Sequence, residues 1–342
     1  MLSEPIRLHM NESPYPPPRP VIEAARKGLS TLNRYTDPEE LERLRGLLAG
    51  YAAVPKRHIV LSPGSDLLLR EVILAFSQGR KVVTVSPSFF PTVQATGQFA
   101  AERLSIRLSP PAFDLSLEPL VDALEEPSLV IMDNPNNPTG RLLLDRQAVE
   151  AIVKRRDTLL VIDEAYYEFS GMTFADMVVD HPHLAITRTM DKAFSLAGAR
   201  VGYAIAGEVF LEAFASLYAY LPQSSLYAAI EALRHLDYMR ENVRRVVEER
   251  EGLRQRLDER GICVYPSSTN FLLVRAEAPD AARRLGSAGV LVSDVSNQLP
   301  PGFIRVSVGS RQENDAFVAG YMNVCQSRDS VTDGSLPPRQ GS

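Results

Sequence analysis

The apolar positions of this chain fall into short runs separated by stretches of helical period. Runs at 57–61, 81–85, 128–132, 158–162, 184–187 and 201–205 are rich in Val, Ile, Leu and Ala, and turn formers such as Ser62-Pro63-Gly64 and Pro87 stop the first two. Between them, the spacing of Leu68, Leu69, Val72, Ile73 and Phe76 predicts a helix over 66–76, and 145–155 reads as another. Strands apolar on both faces and separated by helices predict an α/β fold whose main sheet is mostly parallel and covered on both sides.

The second half reads differently. From about Ala228 to Arg260 a helical pattern rich in Glu and Arg runs without proline, with Gly252 as its weak point, and predicts one long helix bridging two domains. Strands at 262–264, 270–274, 290–292 and 303–307 then alternate with helical stretches at 279–288 and 312–325, giving a second, smaller α/β layer. Residues 327–342 are polar and rich in Pro, Gly and Ser, and read as a disordered tail. The division expected is a large domain over 31–240, a small domain built from 1–30 and 241–326, and the tail.

Composition narrows the classes. A chain of 342 residues, 45% hydrophobic, can bury a core without disulfides or metals, and no metal site is read. Two cysteines, Cys263 and Cys325, exclude a disulfide framework and point to a reducing, cytoplasmic setting. No apolar run of about 18 residues predicts a membrane span, and the start at Met1 shows no secretory pattern. A net charge of −5 disfavours a general nucleic-acid binder. Lysines are scarce: Lys27, Lys56, Lys81, Lys154 and Lys192 are all there are.

Open α/β sheets bind ligands beyond the carboxyl ends of their strands, so the residues just after each run carry the chemistry. After Met132 come Asn134-Pro135-Asn136-Asn137-Pro138-Thr139-Gly140, in which prolines and glycine fix the backbone and can aim the Asn137 amide. After Ile162 comes Asp163, an acid at a strand end, readable as a helix cap or as a carboxylate against a cationic ring nitrogen. Tyr166, three residues on, can donate into the same pocket. Lys192 lies between two strands in a segment too apolar for a solvated surface, whereas the other four lysines fit surface positions. A desolvated lysine has a lowered pKa, and its neutral amine can form a Schiff base with a carbonyl. Arg200 suits bidentate phosphate binding, and Ser65 and Asp66 open a helix whose N–H groups suit a phosphate. Phe89 can stack on a flat ligand or pack in the core. An amine, an acid, an amide, a phenol, a phosphate cradle and an aromatic match pyridoxal phosphate group for group.

On these stretches, together with Asn11-Glu12-Ser13-Pro14-Tyr15, Arg34-Tyr35-Thr36-Asp37-Pro38, 189–203 and 303–309, the chain resembles the fold-type-I pyridoxal-phosphate-dependent aminotransferases. Within them it is similar to the histidinol-phosphate aminotransferase family, from about Leu8 to Tyr321. The resemblance implies a homodimer with its sites at the subunit boundary, an amino donor and a 2-oxo acid acceptor as substrates, and 2-oxoglutarate with glutamate as the second pair. It implies that Lys192 carries the cofactor and moves the proton at the substrate α-carbon, and that Asp163 keeps the pyridine nitrogen protonated. Asn137 and Tyr166 would hold the ring O3′, and Phe89 would stack on the ring. Ser65, Asp66, Thr189 and Arg200 would form the phosphate cradle, joined by Tyr35 from the other subunit. Arg305 would bind the substrate's anionic group, with Asn137 beside it, and Tyr15 sits in the N-terminal stretch that covers the substrate.

Three positions depart from the family pattern. Asp191 stands where Ser or Thr contacts the cofactor phosphate, and is expected to turn away or recruit a basic group. Ser293 falls near an additional arginine of many histidinol-phosphate enzymes. Thr92 lies where a second aromatic often follows Phe89. An aminotransferase for aromatic or other amino acids, and a lyase of the threonine-phosphate decarboxylase kind, remain open beside histidinol phosphate. Lys192, Asp163, Asn137 and Arg200 together argue against a relative that only binds.

Overall fold

A computed structural model describes residues 4–155, 157–214 and 220–325. Its strands are β1 (Ile6–Leu8), β2 (Ile59–Ser62), β3 (Lys81–Ser86), β4 (Glu102–Arg107), β5 (Ser128–Asp133), β6 (Thr158–Asp163), β7 (Leu184–Thr189), β8 (Gly202–Ala206), β9 (Cys263–Val264), β10 (Phe271–Arg275), β11 (Val290–Asp294) and β12 (Phe303–Ser307). The large sheet has the order β2-β8-β7-β6-β5-β3-β4, and only β8 runs against its neighbours. Every residue of β5, β6, β7 and the antiparallel β8 is buried, as expected of interior strands of a sheet with helices on both faces. The small sheet has the order β1-β11-β12-β10-β9, with Arg305 of β12 opposite Ser293 of β11 and Leu273 of β10.

This topology places the site. Asp133, Asp163 and Thr187 are register neighbours on β5, β6 and β7, so three strands deliver polar side chains to one edge. The helix Ser65–Phe76 starts beside them, behind Gly64 at φ +101°. Gly202 of β8 lets that helix start come close: a Cβ on Gly202 would lie 2.3 Å from the Gly64 carbonyl carbon and the Ser65 nitrogen. Gly202→Ala is therefore expected to cost about 1–3 kcal/mol of stability by overpacking. Urea unfolding checks this, and an unchanged midpoint would mean that the helix start can shift freely.

Several elements differ from the sequence expectation. The long helix expected over 228–260 is two helices, Gln223–Arg234 and Leu236–Asp258, broken at His235 (φ −114°, ψ 41°). The stretch 1–30, grouped above with the small domain, divides. Its strand β1 pairs with β11 in the small sheet. Its helix Arg19–Leu29 instead packs on Gln223–Arg234, with Gly28 against the Ser224 backbone and Val21 in the core under the large sheet. Strand β4 and the helix Pro38–Ala52 also join the expected set. The tail 327–342 lies outside the described residues. No helix among the described residues is long and apolar enough to cross a membrane.

Candidate active site

A cavity of about 560 Å³ opens at the ends of β5, β6 and β7, facing β12 of the small sheet. Ser65, Asp66, Phe89, Asn137, Asp163, Tyr166, Thr189, Lys192, Arg200 and Arg305 all line it. Tyr15 lines a second cavity of about 390 Å³, which shares Glu12, Asp191, Ala197 and Gly198 with the first. Tyr35 lines neither cavity. It is 85% exposed, with its ring 5.3 Å from that of Tyr220.

The electrostatics follow from burial. Desolvation holds the Lys192 ammonium below the ordinary lysine range; Asp191 opposes this, while Arg305 and Arg200 reinforce it. Its Nζ donates to the Met10 carbonyl at 3.3 Å. Desolvation pushes the Asp163 carboxyl up to about 7, against a hydrogen bond from Thr187 Oγ1 at 2.9 Å and with the help of the Asp133 charge. Among the described residues, Asp163 forms no ion pair. Burial raises the Tyr166 phenol to about 12, and its oxygen accepts from Asn11 Nδ2 at 2.9 Å.

Arg305 bridges the two sheets. Its Nη1 donates to Asn137 Oδ1 at 2.7 Å and its Nη2 to the His9 carbonyl at 2.7 Å, while its buried Nε has no partner. Arg200 adopts φ +54°, uncommon for a residue with a side chain. Its two terminal nitrogens pair with Asp66 and Asp191. Asp191 thus recruits a basic group, one of its two expected outcomes. Behind the cavity, alternation along the backbone turns Glu164 away from Asp163 and into a buried ion pair with Arg188 at 2.8 Å. The Arg188 guanidinium lies over the Tyr167 ring, 3.7 Å from its centre.

Two residues without an assigned role belong to this cavity. Asp133 accepts from Ser88 Oγ at 2.7 Å, from Asn136 Nδ2 at 3.2 Å and from the Asn137 N–H at 2.5 Å. One buried carboxylate therefore ties the turn bearing Phe89 to the turn bearing Asn137. The rule that singled out Asp163, an acid at a strand end, applies equally to it. Asn11, at φ +53°, donates its backbone N–H to Ser307 Oγ at 2.8 Å, and its carbonyl accepts from Asn270 Nδ2 at 2.9 Å. Its own neighbours in sequence give no sign of this, because all its partners lie far along the chain.

The family model for aminotransferase class I and II matches residues 3–320. The chain belongs to this family. It is 36% identical over 330 residues to a histidinol-phosphate aminotransferase of Sulfurisphaera tokodaii, covering 93% of this chain and 89% of that one. It is 34% identical over 319 residues to the histidinol-phosphate aminotransferase of Thermococcus gammatolerans, covering 92% and 90%. The crystal structure of histidinol-phosphate aminotransferase from Sinorhizobium meliloti, in complex with pyridoxal 5′-phosphate, superposes with a TM-score of 0.84 at 26% identity, covering 95% of this chain and 91% of that one.

The aminotransferase depends on pyridoxal phosphate, and the residues present fit that group. A buried amine of lowered pKa, a buried acid without a cation and an arginine beside a helix N-terminus surround one cavity. The unpartnered Arg305 Nε leaves a donor over for an anion.

Proposed function

We propose that this aminotransferase moves the amino group of histidinol phosphate to 2-oxoglutarate, giving imidazole acetol phosphate and glutamate. The observation that carries the substrate is the sustained identity, over nine-tenths of the chain, to proteins named for that reaction. When bound, pyridoxal phosphate supplies an electron sink that makes the substrate α-proton acidic.

The residues divide the remaining work. Lys192 would hold the cofactor and would move the proton at the substrate α-carbon. Its desolvated amine is suited to both tasks. Asp163 keeps a proton on the ring nitrogen, and its otherwise uncompensated charge favours that cation. Asn137 and Tyr166 would offer hydrogen-bond partners to the ring, and Phe89 would offer it an aromatic surface. Ser65, Asp66, Thr189 and Arg200 receive the phosphate at the helix N-terminus. Arg305 would take the substrate's anionic group, supported by Asn137, and Tyr15 belongs to the N-terminal segment lining the adjoining cavity.

The same reading makes the working unit a cytoplasmic homodimer. Leu29, Leu32, Tyr35 and Tyr220 are each at least half exposed, an apolar set suited to a subunit contact from which Tyr35 reaches a second copy's phosphate site. The large domain, 31–240, would carry the cofactor, and the small one, from 241 with β1, would carry Arg305.

A half-reaction tests the substrate. The loaded protein, mixed with histidinol phosphate and no keto acid, is expected to convert to the pyridoxamine form in the visible spectrum. No conversion with histidinol phosphate, but conversion with an aromatic amino acid, would replace the substrate. Release of carbon dioxide from a phosphorylated amino acid would replace the reaction with the lyase. The geometry behind the second reading is Ser293, which puts a hydroxyl rather than a guanidinium opposite Arg305.

A further inference from the structure

Asp191 lines both cavities and has no place in the roles above. We propose that Asp191 is a resident counter-anion of the phosphate cradle: it holds Arg200 in the free protein, and takes up a proton when a phosphate displaces it. The inference rests on the reading of Ser65, Asp66 and Arg200 as that cradle.

The geometry carries it. The two terminal nitrogens of Arg200 are both committed, Nη1 to Asp191 Oδ2 and Nη2 to Asp66 Oδ1. Each of these nitrogens keeps a second N–H, and Nε is a further donor, but a phosphate that makes a bidentate contact on Nη1 and Nη2 competes with both carboxylates for the guanidinium. The two carboxylates are not equivalent. The Asp66 side chain is 47% exposed, so water can screen it once it lets go. The Asp191 side chain is 9% exposed, and its Oδ1 is already buried without a partner. The Asp191 N–H donates to Thr189 Oγ1 at 3.0 Å, which ties its backbone to another residue of the cradle.

Charge counting gives the direction. Asp66 and Asp191 already carry two negative charges against the single positive charge of Arg200. A phosphate dianion adds two more negative charges around a carboxylate that has lost its arginine. Protonation relieves this: the carboxylate becomes a carboxyl group, and its O–H can donate to a phosphate oxygen. The balance is simple, since one proton from solvent joins Asp191 and no other bond changes. Burial already pushes the Asp191 carboxyl up, with Arg200 and then Lys192 pulling it back. Removing Arg200 from it therefore moves it further up. The other charged and titratable groups around it are Asp66 from the helix Ser65–Phe76, Asp133, Asp163, Tyr166 and Arg305 in the first cavity, and Glu12, Arg7, Tyr15 and Glu313 in the second.

The test measures affinity and proton uptake, not turnover. The full-length apoprotein is titrated with pyridoxal phosphate between about pH 5 and pH 9, as wild type, Asp191→Ser, Asp191→Asn and Arg200→Met. The shared ionisations of the cofactor cancel in the ratio of wild-type to variant Kd. That ratio is expected to be flat at acid pH and to rise about tenfold per pH unit above the free-protein pKa of Asp191. It should level off above the higher value that holds once phosphate is bound. Calorimetry in two buffers of different ionisation enthalpy should show up to about one more proton taken up by wild type than by Asp191→Asn in that window. A ratio that does not change with pH, with equal proton uptake, would overturn the proposal. Asp191→Asn keeps the shape, so its result stands even where the serine variant misfolds. Arg200→Met should lose affinity at every pH. If it does not, the cradle reading fails, and that failure is distinct from the failure of the Asp191 proposal.

Discussion

Lys192→Ala is expected to reduce turnover at least about 10⁴-fold and to remove the visible absorbance that marks covalently held cofactor. The amine is the group that attaches to the cofactor and the one placed to shuttle a proton, so one truncation removes two functions. Lys27, Lys56, Lys81 and Lys154 do not line the cavity, so no other lysine can substitute. Folding should survive, because the Lys192 amine makes a single long hydrogen bond to the Met10 carbonyl. A coloured, active variant would refute the assignment of Lys192. A colourless variant that still binds the cofactor non-covalently is the expected outcome.

Asp163→Asn should cut the rate by about 10³-fold, because an amide cannot hold a proton on the ring nitrogen. A near-normal rate would transfer that task to another acid, and Asp133, its register neighbour, would be the candidate. The same substitution has a consequence in the cofactor-free protein. Burial raises the carboxyl of Asp163 from 3.8 to about 7 and that of Asp133 to about 6. A raised carboxyl contributes stability that is full below its unfolded value and is lost as pH rises through its folded value. The apoprotein should therefore lose stability between about pH 4 and pH 7, by up to about 4 kcal/mol for Asp163. Asp163→Asn should flatten that decline, so that the variant apoprotein melts higher than wild type at about pH 8. Thermal melts across pH check this. Parallel curves would show that Asp163 does not titrate in that window.

The strands that form the cavity floor were legible because they are buried on both faces. Such strands are continuous apolar runs, and each is followed by the polar residues it delivers. Strand β4, Glu102–Arg107, was not legible for the opposite reason: it is a sheet edge, mostly exposed, and shows no apolar run. Strand β1 is three residues long, below the reach of any period. The helices Arg19–Leu29 and Pro38–Ala52 carry local start signals, since each has a proline in its first turn and Asp37 caps the second. The break at His235 had no local signal. Neither proline nor glycine stands there, and packing of the two flanking helices against different layers decides it. In the site, residues within one strand-end motif were readable, while Asn11 was not. Its role exists only through Tyr166, Asn270 and Ser307, which no local pattern connects to it.

The bond between Asn11 and Ser307 joins residues 296 positions apart. Closing a loop of that length is slow and comes after local structure has formed. The cavity is therefore finished only when β1 and β12 are both in place, and a nascent polypeptide still missing β12 lacks the Arg305 wall of the site. The cofactor, whose proposed contacts within one subunit all precede β12, depends on that last strand less than the substrate does. It deepens the native basin by mass action, by RT ln(1 + [ligand]/Kd), and slows escape from it, without hastening arrival. Chains that stall before the last strand docks lack the arginine proposed to take the substrate's anionic group, however abundant the cofactor.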